Sequence, residues 1–227
     1  MRLWNLIKGD IKFQVKYGFY FVYAVFTLFY IFLIFALPEA AREKAAVIMI
    51  YSDPAAMGLF FMGAIVLLEK SQRVINSIAV SPVRVSEYII SKTVSLGVIA
   101  ALVGTLIAAA SGSGNILGVM FGTFLGSVIF SLLGLILAAK ISSLNQFMIA
   151  TVPFELLCFL PPMLYLFGYK KSLMLLHPGC IIIRMIYYGD GFDIPSLIVL
   201  SGWILIIYKI TSHVIRKMFA SVGGVKL

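Results

Sequence analysis

The chain has 227 residues, of which 62% are hydrophobic and 12% charged, with a mean hydropathy of +1.06. A globule of this length has too little interior for so much apolar surface, which excludes a soluble domain. The net charge of +9 comes without a basic patch interleaved with aromatic residues, so it indicates basic loops beside a membrane rather than a nucleic-acid partner. The long apolar runs predict an all-α integral membrane protein that contacts the lipid bilayer.

The first 18 residues contain four basic residues, whereas the apolar stretch that follows them contains none. Lys8, Lys12 and Lys16 recur every four residues, which places them along one side of a helix. Apolar residues supply the opposing side: Leu3, Trp4, Ile7, Ile11 and Val15. A helix with one basic and one apolar face lies at a membrane surface. Residues 1–18 are therefore predicted to form an N-terminal amphipathic interfacial helix.

Six apolar stretches are long enough to cross a bilayer. They are residues 19–37, 47–68, 93–110, 116–139, 147–167 and 194–210. The second contains Ser52-Asp53-Pro54, a pattern typical of an N-cap followed by proline, so its main helix is expected to begin near Pro54 with Asp53 as the cap. In the fifth, Pro153 and Pro161-Pro162 predict kinks or a break.

Residues 168–193 separate the fifth and sixth spans and mix basic residues with two apolar runs. These runs, 173–176 and 181–186, are too short to cross a bilayer. Non-spanning backbone at membrane depth must be buried in protein or line a cavity. We therefore predict an external re-entrant hairpin over residues 168–193.

The distribution of Lys and Arg predicts the orientation. If both termini share a side, that side carries thirteen of the 18 basic residues, in the N-terminal segment, between spans two and three, at Lys140 and from Lys209 to Lys226. The other side carries the remaining five: Arg42, Lys44, Lys170, Lys171 and Arg184. Basic residues concentrate in cytoplasmic loops. The prediction is a multi-pass protein of the cell membrane with both termini in the cytoplasm.

The segment 69–92, EKSQRVINSIAVSPVRVSEYIISK, is a charged stretch between two apolar spans. In a helix Glu69 and Arg73 lie one turn apart and can pair. Val74, Ile75 and Ile78 share an apolar stripe. Pro82 disfavours helix at the residue before it. The pattern predicts a short amphipathic helix, a break, and a return into the membrane.

This residue order resembles the cytoplasmic loop of ABC-2-type exporter permeases. In that family an acidic–basic pair closes the second span, a Thr/Ser-Pro follows, and a Lys precedes the third span. The matching residues are Glu69, Lys70, Ser81, Pro82, Val83, Glu87 and Lys92. The Gly-Thr usual after the pair is absent, and Val74-Ile75-Asn76 stands there instead.

The resemblance implies that the chain, residues 1–227, is a single ABC-2-type transmembrane domain. It would be the permease subunit of an exporter that moves a hydrophobic or amphipathic substrate, such as a drug, antibiotic, peptide or lipid. It is also similar to small drug-export permeases such as those for fluoroquinolones. The implied partners are an ABC ATPase subunit in two copies and a second permease protomer, in a homodimer or a related heterodimer.

The sequence contains no G-x-x-x-x-G-K-[ST] phosphate-binding loop, so ATP and Mg would be held by the separate ATPase chain. No catalytic constellation or metal-ligand spacing occurs, and Cys158 and Cys180 lack metal or redox spacing. We therefore expect no enzyme activity and no bound cofactor in this chain. By the resemblance, a cytoplasmic coupling helix in segment 69–92 contacts the ATPase. Its predicted coupling residues are Glu69, Lys70, Arg73, Ile78, Ser81, Pro82, Glu87 and Lys92.

Glycines recur at small-residue spacing in spans three and four, where they let helix backbones approach closely. The predicted packing residues are Gly104, Gly118, Gly122 and Gly126. Small residues at this spacing serve either contacts between helices of one protomer or an interface between two protomers. We expect contacts within one protomer.

Glu155 lies inside the fifth span beside Pro153. An intramembrane carboxyl is costly and is a functional candidate. It belongs either to a substrate path or to a hydrogen-bonded brace at the proline kink. It also supports an alternative function, a self-contained proton-coupled carrier or channel that needs no ATPase. A membrane-embedded enzyme is a third, weaker alternative.

Overall fold

The computed structural model describes residues 2–222; Met1 and residues 223–227, including Lys226, lie outside the described part. The described chain is helical and contains no strand. Its ten α-helices are α1 (Arg2–Lys16), α2 (Phe19–Ala36), α3 (Glu39–Ile50), α4 (Met57–Ser71), α5 (Val74–Ala79), α6 (Val85–Ala110), α7 (Ile116–Lys140), α8 (Leu144–Leu166), α9 (Pro178–Ile183) and α10 (Ile194–Val222).

Six helical segments of the described chain are long and apolar enough to cross a membrane. They are Phe19–Ala36, Glu39–Ser71, Val85–Ala110, Ile116–Lys140, Leu144–Leu166 and Ile194–Ser221. The prediction of an all-α protein with six spans is confirmed. Successive spans run in alternate directions, so one end of the bundle carries α1 and α5 and the other carries α9. We call them the α1 end and the α9 end.

The spans form a buried pair surrounded by more exposed helices. α6 and α7 pack along most of their length and are more than half buried. α2 and α8 bury only about a fifth of their residues and expose large apolar side chains, among them Phe21, Phe32 and Leu157. Apolar side chains that point outward suit contact with lipid or with another membrane protein.

The second span differs from the prediction at Ser52-Asp53-Pro54. α3 continues through a π-helical turn, Tyr51–Ala55, into α4, so the helix does not begin near Pro54. Asp53 lies inside this turn with 4% of its surface exposed, and its side chain is not an N-cap. The cap prediction is wrong because the chain is already helical from Glu39, which leaves no helix N-terminus at this point.

α8 is continuous from Leu144 to Leu166 although it contains three prolines, so the predicted break does not occur. A proline has no N–H and leaves the carbonyl four residues earlier without its helical donor. For Pro162 that carbonyl belongs to Cys158, and it accepts a hydrogen bond from the Tyr51 hydroxyl at 2.9 Å. A side chain from the second span thus replaces the missing helical bond.

Residues 168–193 form a compact set of short helical pieces at the α9 end. A 3₁₀ turn, Ser172–Leu176, precedes α9, and a π-helical turn, Arg184–Tyr188, follows it. Residues 179–183 are buried, so this segment is packed into the protein. It is too short to span a bilayer, in keeping with the length argument made from the sequence.

His177 joins this segment to α8. Its Nδ1 accepts a hydrogen bond from the Gly179 backbone N–H at 3.2 Å, which caps the start of α9. The ring also lies near the Leu157 carbonyl of α8, the group that Pro161 leaves without a helical donor. His177 thus caps α9 beside the proline-containing part of α8.

Candidate coupling site

Segment 69–92 folds into more pieces than the sequence predicts. α4 ends at Ser71, and Arg73 adopts a left-handed backbone with φ 57° before α5 begins. A single helix through Glu69 and Arg73 does not form, so their predicted pairing is wrong. Glu69 pairs instead with Lys92, at the start of the third span.

The centre of the site is a buried charge cluster at the α1 end. Lys92 Nζ lies 2.6 Å from Glu69 Oε1 and 2.9 Å from Asp10 Oδ1. The Tyr88 hydroxyl donates to Glu69 Oε2 at 2.8 Å. The Lys92 and Glu69 side chains are only 2% and 4% exposed. One ammonium thus joins carboxylates from α1 and α4 to its own helix, α6. We call Asp10, Glu69, Tyr88 and Lys92 the charge cluster.

Burial makes the charge cluster rigid as well as costly to disturb. Two charges removed from water lose their hydration free energy. Their attraction offsets this loss only if the charged atoms are close together and their remaining donors and acceptors form hydrogen bonds. Here both Glu69 oxygens and the Lys92 ammonium have partners at 2.6–2.9 Å. Loss of one partner would strand a buried charge, so α1, α4 and α6 are held in one relative position.

Sequence reasoning assigned α1 only to the membrane surface and missed its polar contacts. Gln14 is buried, and its Nε2 donates to Ser95 Oγ at 2.8 Å. Arg2 donates to the Pro82 carbonyl at 2.7 Å. The available signal was the four-residue spacing of Asp10 and Gln14, which puts both on the face that contacts α6.

Lys70 fastens the second span to α7. Its Nζ donates to the carbonyls of Ala138, Ala139 and Ile141 at 2.7–2.9 Å. These carbonyls lie at the helix C-terminus, where no further helical N–H is available. An ammonium at this position also complements the negative end of the helix dipole. The two residues of the predicted acidic–basic pair therefore bind different helices: Glu69 binds Lys92 of α6, and Lys70 binds the end of α7.

Two further predicted residues shape the turn between α5 and α6. Ser81 Oγ donates to the Ile78 carbonyl at 2.7 Å, which closes the end of α5. Glu87 Oε2 accepts from the Arg84 backbone N–H at 2.8 Å and caps the start of α6. Local hydrogen bonds therefore define both sides of the turn that contains Pro82.

The outer part of the segment faces solvent. Ile75 is buried, whereas Val80 is 79% exposed. The exposed residues around it are Gln72, Arg73, Asn76, Ser77, Pro82 and Arg84. We call this surface the tip. It is carried by the short helix α5 and the turns on either side of it, which connect the Glu69 end of α4 to the Lys92 end of α6.

The comparisons with known proteins agree with this architecture. A family model described as the fluoroquinolones export permease protein family matches residues 1–222. The chain belongs to this family. The predicted resemblance to a small ABC-2-type drug-export permease is confirmed.

Two curated relatives of the permease are from Mycobacterium tuberculosis, strains CDC 1551 / Oshkosh and ATCC 25618 / H37Rv, and both are named fluoroquinolones export permease proteins. Each is 28% identical to the permease over 174 residues, covering 71% of its chain and 68% of the relative. The permease is a multi-pass membrane protein that shares its family with export proteins.

The four predicted packing glycines of the permease lie at contacts between its own helices. A Cβ on Gly104 would lie 2.8 Å from Thr123 Oγ1 of α7. A Cβ on Gly122 would lie 2.9 Å from the Ile186 side chain, and one on Gly126 3.1 Å from Ala55 Cβ. Gly118 faces the Met185 carbonyl too closely for any Cβ. All four sites therefore lie within one protomer.

Glu155 of the permease lies apart from this site, on the outward face of α8. Val152, Leu156 and Phe159 surround it in a shallow groove. Its Oε1 has no hydrogen-bond partner among the described residues. Pro153 is exposed beside it. The structure thus places a half-buried carboxyl, one oxygen of which is enclosed, beside an apolar groove on α8.

Sequence reasoning also missed the environment of Asp53. The first span brings Tyr23 and Tyr30 near this carboxyl. Asp53 Oδ2 and the Tyr23 hydroxyl are buried and have no hydrogen-bond partner among residues 2–222. Within that range no group of three or more His, Cys, Asp or Glu is arranged to hold a metal ion, and both cysteines are free.

Proposed function

We propose that the permease is the membrane subunit of an ATP-driven exporter, with its termini in the cytoplasm of the cell. ATP and Mg are bound and hydrolysed by a separate ABC ATPase present in two copies, and a second permease protomer completes the transporter. The substrate is hydrophobic or amphipathic. Family membership and the names of the two relatives support a drug of the fluoroquinolone kind as one such substrate.

The observation that carries this proposal is the division of segment 69–92 into an exposed tip and a buried base. The tip offers a solvent-facing surface around Val80 and Pro82. The base ends in Glu69 and Lys92, which pair across the second and third spans. A soluble ATPase that docks on the tip thereby acts on two spans together.

The contacts of α1 and α7 extend this action to the rest of the bundle. Asp10 bonds to Lys92, so α1 moves with the third span. Lys70 bonds to the carbonyl end of α7, so the fourth span follows the second. Closure of two ATPase subunits would rock these spans as one body, and a path between two protomers would open outward with residues 168–193 as its outer gate.

The charge cluster at the base of segment 69–92 favours a mechanism in which the segment and the spans move together as a rigid unit. Truncation of one member of a buried ion pair costs about 3–5 kcal/mol, which is a large part of the roughly 5–15 kcal/mol by which a typical domain is stable. The helices therefore do not slide separately at the α1 end under forces of the thermal scale.

The coupling proposal is tested with the tagged permease purified together with its ATPase. Arg73→Pro, Ile78→Asp and Pro82→Gly combined should abolish substrate-stimulated ATP hydrolysis, since they break the turn and the tip. Glu39→Pro with Ala40→Asp, in the exposed first turn of α3, is the matched control and should leave ATP hydrolysis unchanged. Intact partner binding and intact stimulation in the triple variant would overturn the coupling role.

The energy source is tested by uptake of a fluorescent quinolone from the medium into inverted membrane vesicles. Uptake should require ATP and persist when an uncoupler removes the proton gradient. Uptake driven by the gradient without ATP, and lost in Glu155→Gln, would favour the carrier that the outward-facing Glu155 allows. This comparison separates the two functions without any assumption about segment 69–92.

A further inference from the structure

Asp53 is a carboxyl placed inside the membrane without a basic neighbour. From Ala46, where the charged start of α3 ends, it lies about 10 Å along the helix, so it is well within the hydrocarbon layer. It forms no ion pair with any Lys, Arg or His of the described chain. Residues 45–68 contain no other charged residue. Its charge is therefore not balanced by the protein.

The surroundings of Asp53 are aromatic and hydroxylic. Tyr23, which is 1% exposed, and Tyr30 approach it from the first span. Phe61 packs edge-on against Tyr23 at 4.8 Å between ring centroids, and Phe26 stacks on Tyr30 at 6.1 Å. The two tyrosines near Asp53 are thus packed on further aromatic rings, and the carboxyl still has one buried oxygen without a partner among the described residues.

The other helices packed on this turn add hydroxyls and no charge. Ser127 and Ser131 of α7 approach the backbone at Gly58, and both hydroxyls lack a hydrogen-bond partner in the described chain. α2, α6 from Thr93 onward, and α7 before Lys140 contain no charged side chain. Asp53 is thus the single strong charge site in this part of the bundle.

An isolated carboxylate in a medium of low dielectric is too costly to persist. The group is neutral when it holds its proton, and it ionises only when a cation takes the proton's place. Aromatic faces beside a carboxylate are the surroundings that attract organic cations, through the ring quadrupole together with the ionic charge. A small, strongly hydrated metal ion would find too few oxygen ligands here.

Access to this site lies on the side of α2. That helix is the first span and buries only about a fifth of its residues, while Phe29 and Phe32 point outward. A lipophilic cation that partitions into the bilayer reaches this face directly. Asp53 and the two tyrosines thus lie on the inner side of a helix whose outer side faces the lipid.

We propose that Asp53, with Tyr23 and Tyr30, binds the cationic group of a lipophilic organic cation. On binding, the carboxyl proton leaves to water and the cation takes its place against the carboxylate. The role of that cation as cargo rests on the proposed export function, whereas the binding itself does not.

The test uses tetraphenylphosphonium and the full-length permease in phosphatidylcholine nanodiscs. Equilibrium dialysis should give tighter binding at pH 8 than at pH 6, because the cation competes with one proton. Asp53→Asn should weaken binding at pH 8 at least about 10-fold, equivalent to about 1.4 kcal/mol, and remove the pH dependence. Glu43→Gln removes an exposed carboxyl from α3, is the control, and should bind like the wild type.

A second measurement does not depend on a folded variant. Dicyclohexylcarbodiimide modifies protonated carboxyls in apolar surroundings, so it should label Asp53 of the wild-type permease, and tetraphenylphosphonium should protect that residue. Wild-type affinity in Asp53→Asn, or labelling of Asp53 that the cation does not reduce, would overturn the inference. Cation binding in a permease that exports without ATP would overturn only the proposed function.

Discussion

The Tyr51 hydroxyl lies 2.9 Å from the Cys158 carbonyl, the backbone group that Pro162 leaves without a helical donor. This bond joins the π-helical turn of the second span to the middle of the fifth. In hydrocarbon no water can replace it. A side chain of the π-helical turn therefore supplies the hydrogen bond that the proline pair removes from the fifth span.

Tyr51→Phe should destabilise the permease by about 1–3 kcal/mol, because it strands a buried carbonyl while leaving the ring in place. Thermal unfolding of the purified protein in one detergent measures the change. Tyr23→Phe is the matched control, since the Tyr23 hydroxyl is buried without a partner in the described residues and its removal should cost nothing. Equal stability of the two variants would show that the Tyr51 bond is not formed.

Members of the charge cluster should differ in their contribution to stability. Lys92→Met leaves the Glu69 and Asp10 carboxylates facing each other, and should cost about 3–5 kcal/mol. Glu69→Gln keeps the Lys92–Asp10 pair and a polar partner for Tyr88, so its cost should be about 1–3 kcal/mol. Unfolding in detergent at pH 7.5 gives the order.

A reversal of that order would mean that Lys92 is not the shared centre of the cluster. Lys8→Met serves as the control for a general loss of positive charge, because Lys8 lies on the exposed side of α1. It should remain within about 0.5 kcal/mol of the wild type.

Lys70→Met should loosen the end of α7 by about 1–3 kcal/mol, because three carbonyls lose a charged donor. Lys140→Met removes an exposed cation from the same helix end and is the control. Hydrogen exchange in the last turn of α7 reports the local effect. Equal exchange in both variants would contradict the capping role of Lys70.

Gly122→Leu should prevent correct packing, because even a Cβ there would lie 2.9 Å from Ile186. The expected result is low yield and a broad size-exclusion profile. Gly202→Leu is the matched control in another span, since nothing lies within 4 Å of a Cβ at Gly202. Wild-type yield and monodispersity for Gly122→Leu would contradict close packing of α7 on the π turn 184–188.

His177 should make stability depend on pH. Burial lowers the pKa of this ring below its ordinary value of 6.5. The unfolded chain then binds more protons than the folded one in the interval between the lowered pKa and about 6.5, so stability rises with pH there. The contribution is complete above about pH 6.5 and declines as the pH falls through that value.

His177→Asn tests this dependence, since asparagine can still accept the Gly179 N–H at the start of α9. The melting temperature of the wild type should fall more between pH 7.5 and 5.5 than that of the variant. The same fall in both proteins would assign the effect to other groups. Asp190 is not one of them, because its hydrogen bond with Arg184 lowers the pKa of that carboxyl further below this pH range.

Hydropathy and the pattern of charge were sufficient to find six spans and a separate segment at 69–92. Each span is one continuous apolar stretch, and its insertion into the membrane depends on the free energy of transferring its own side chains from water to lipid. The helix start expected at Pro54 failed, because a cap pattern is local whereas the helix already entered from Glu39. Kinks or a break were expected at the prolines of the fifth span, and the break does not occur: the helix is continuous, and Tyr51 supplies a distant donor to the Cys158 carbonyl.

The amino-acid order alone determined the class of this protein, its family resemblance and the residues at the base of segment 69–92. Only the folded chain decided their partners, Lys92 with Glu69 and Asp10 rather than Glu69 with Arg73. The left-handed backbone at Arg73 turns the chain out of α4, so pairing depends on how three helices meet in space. A buried charge takes the partner that reaches it in the interior, and sequence spacing does not carry that information.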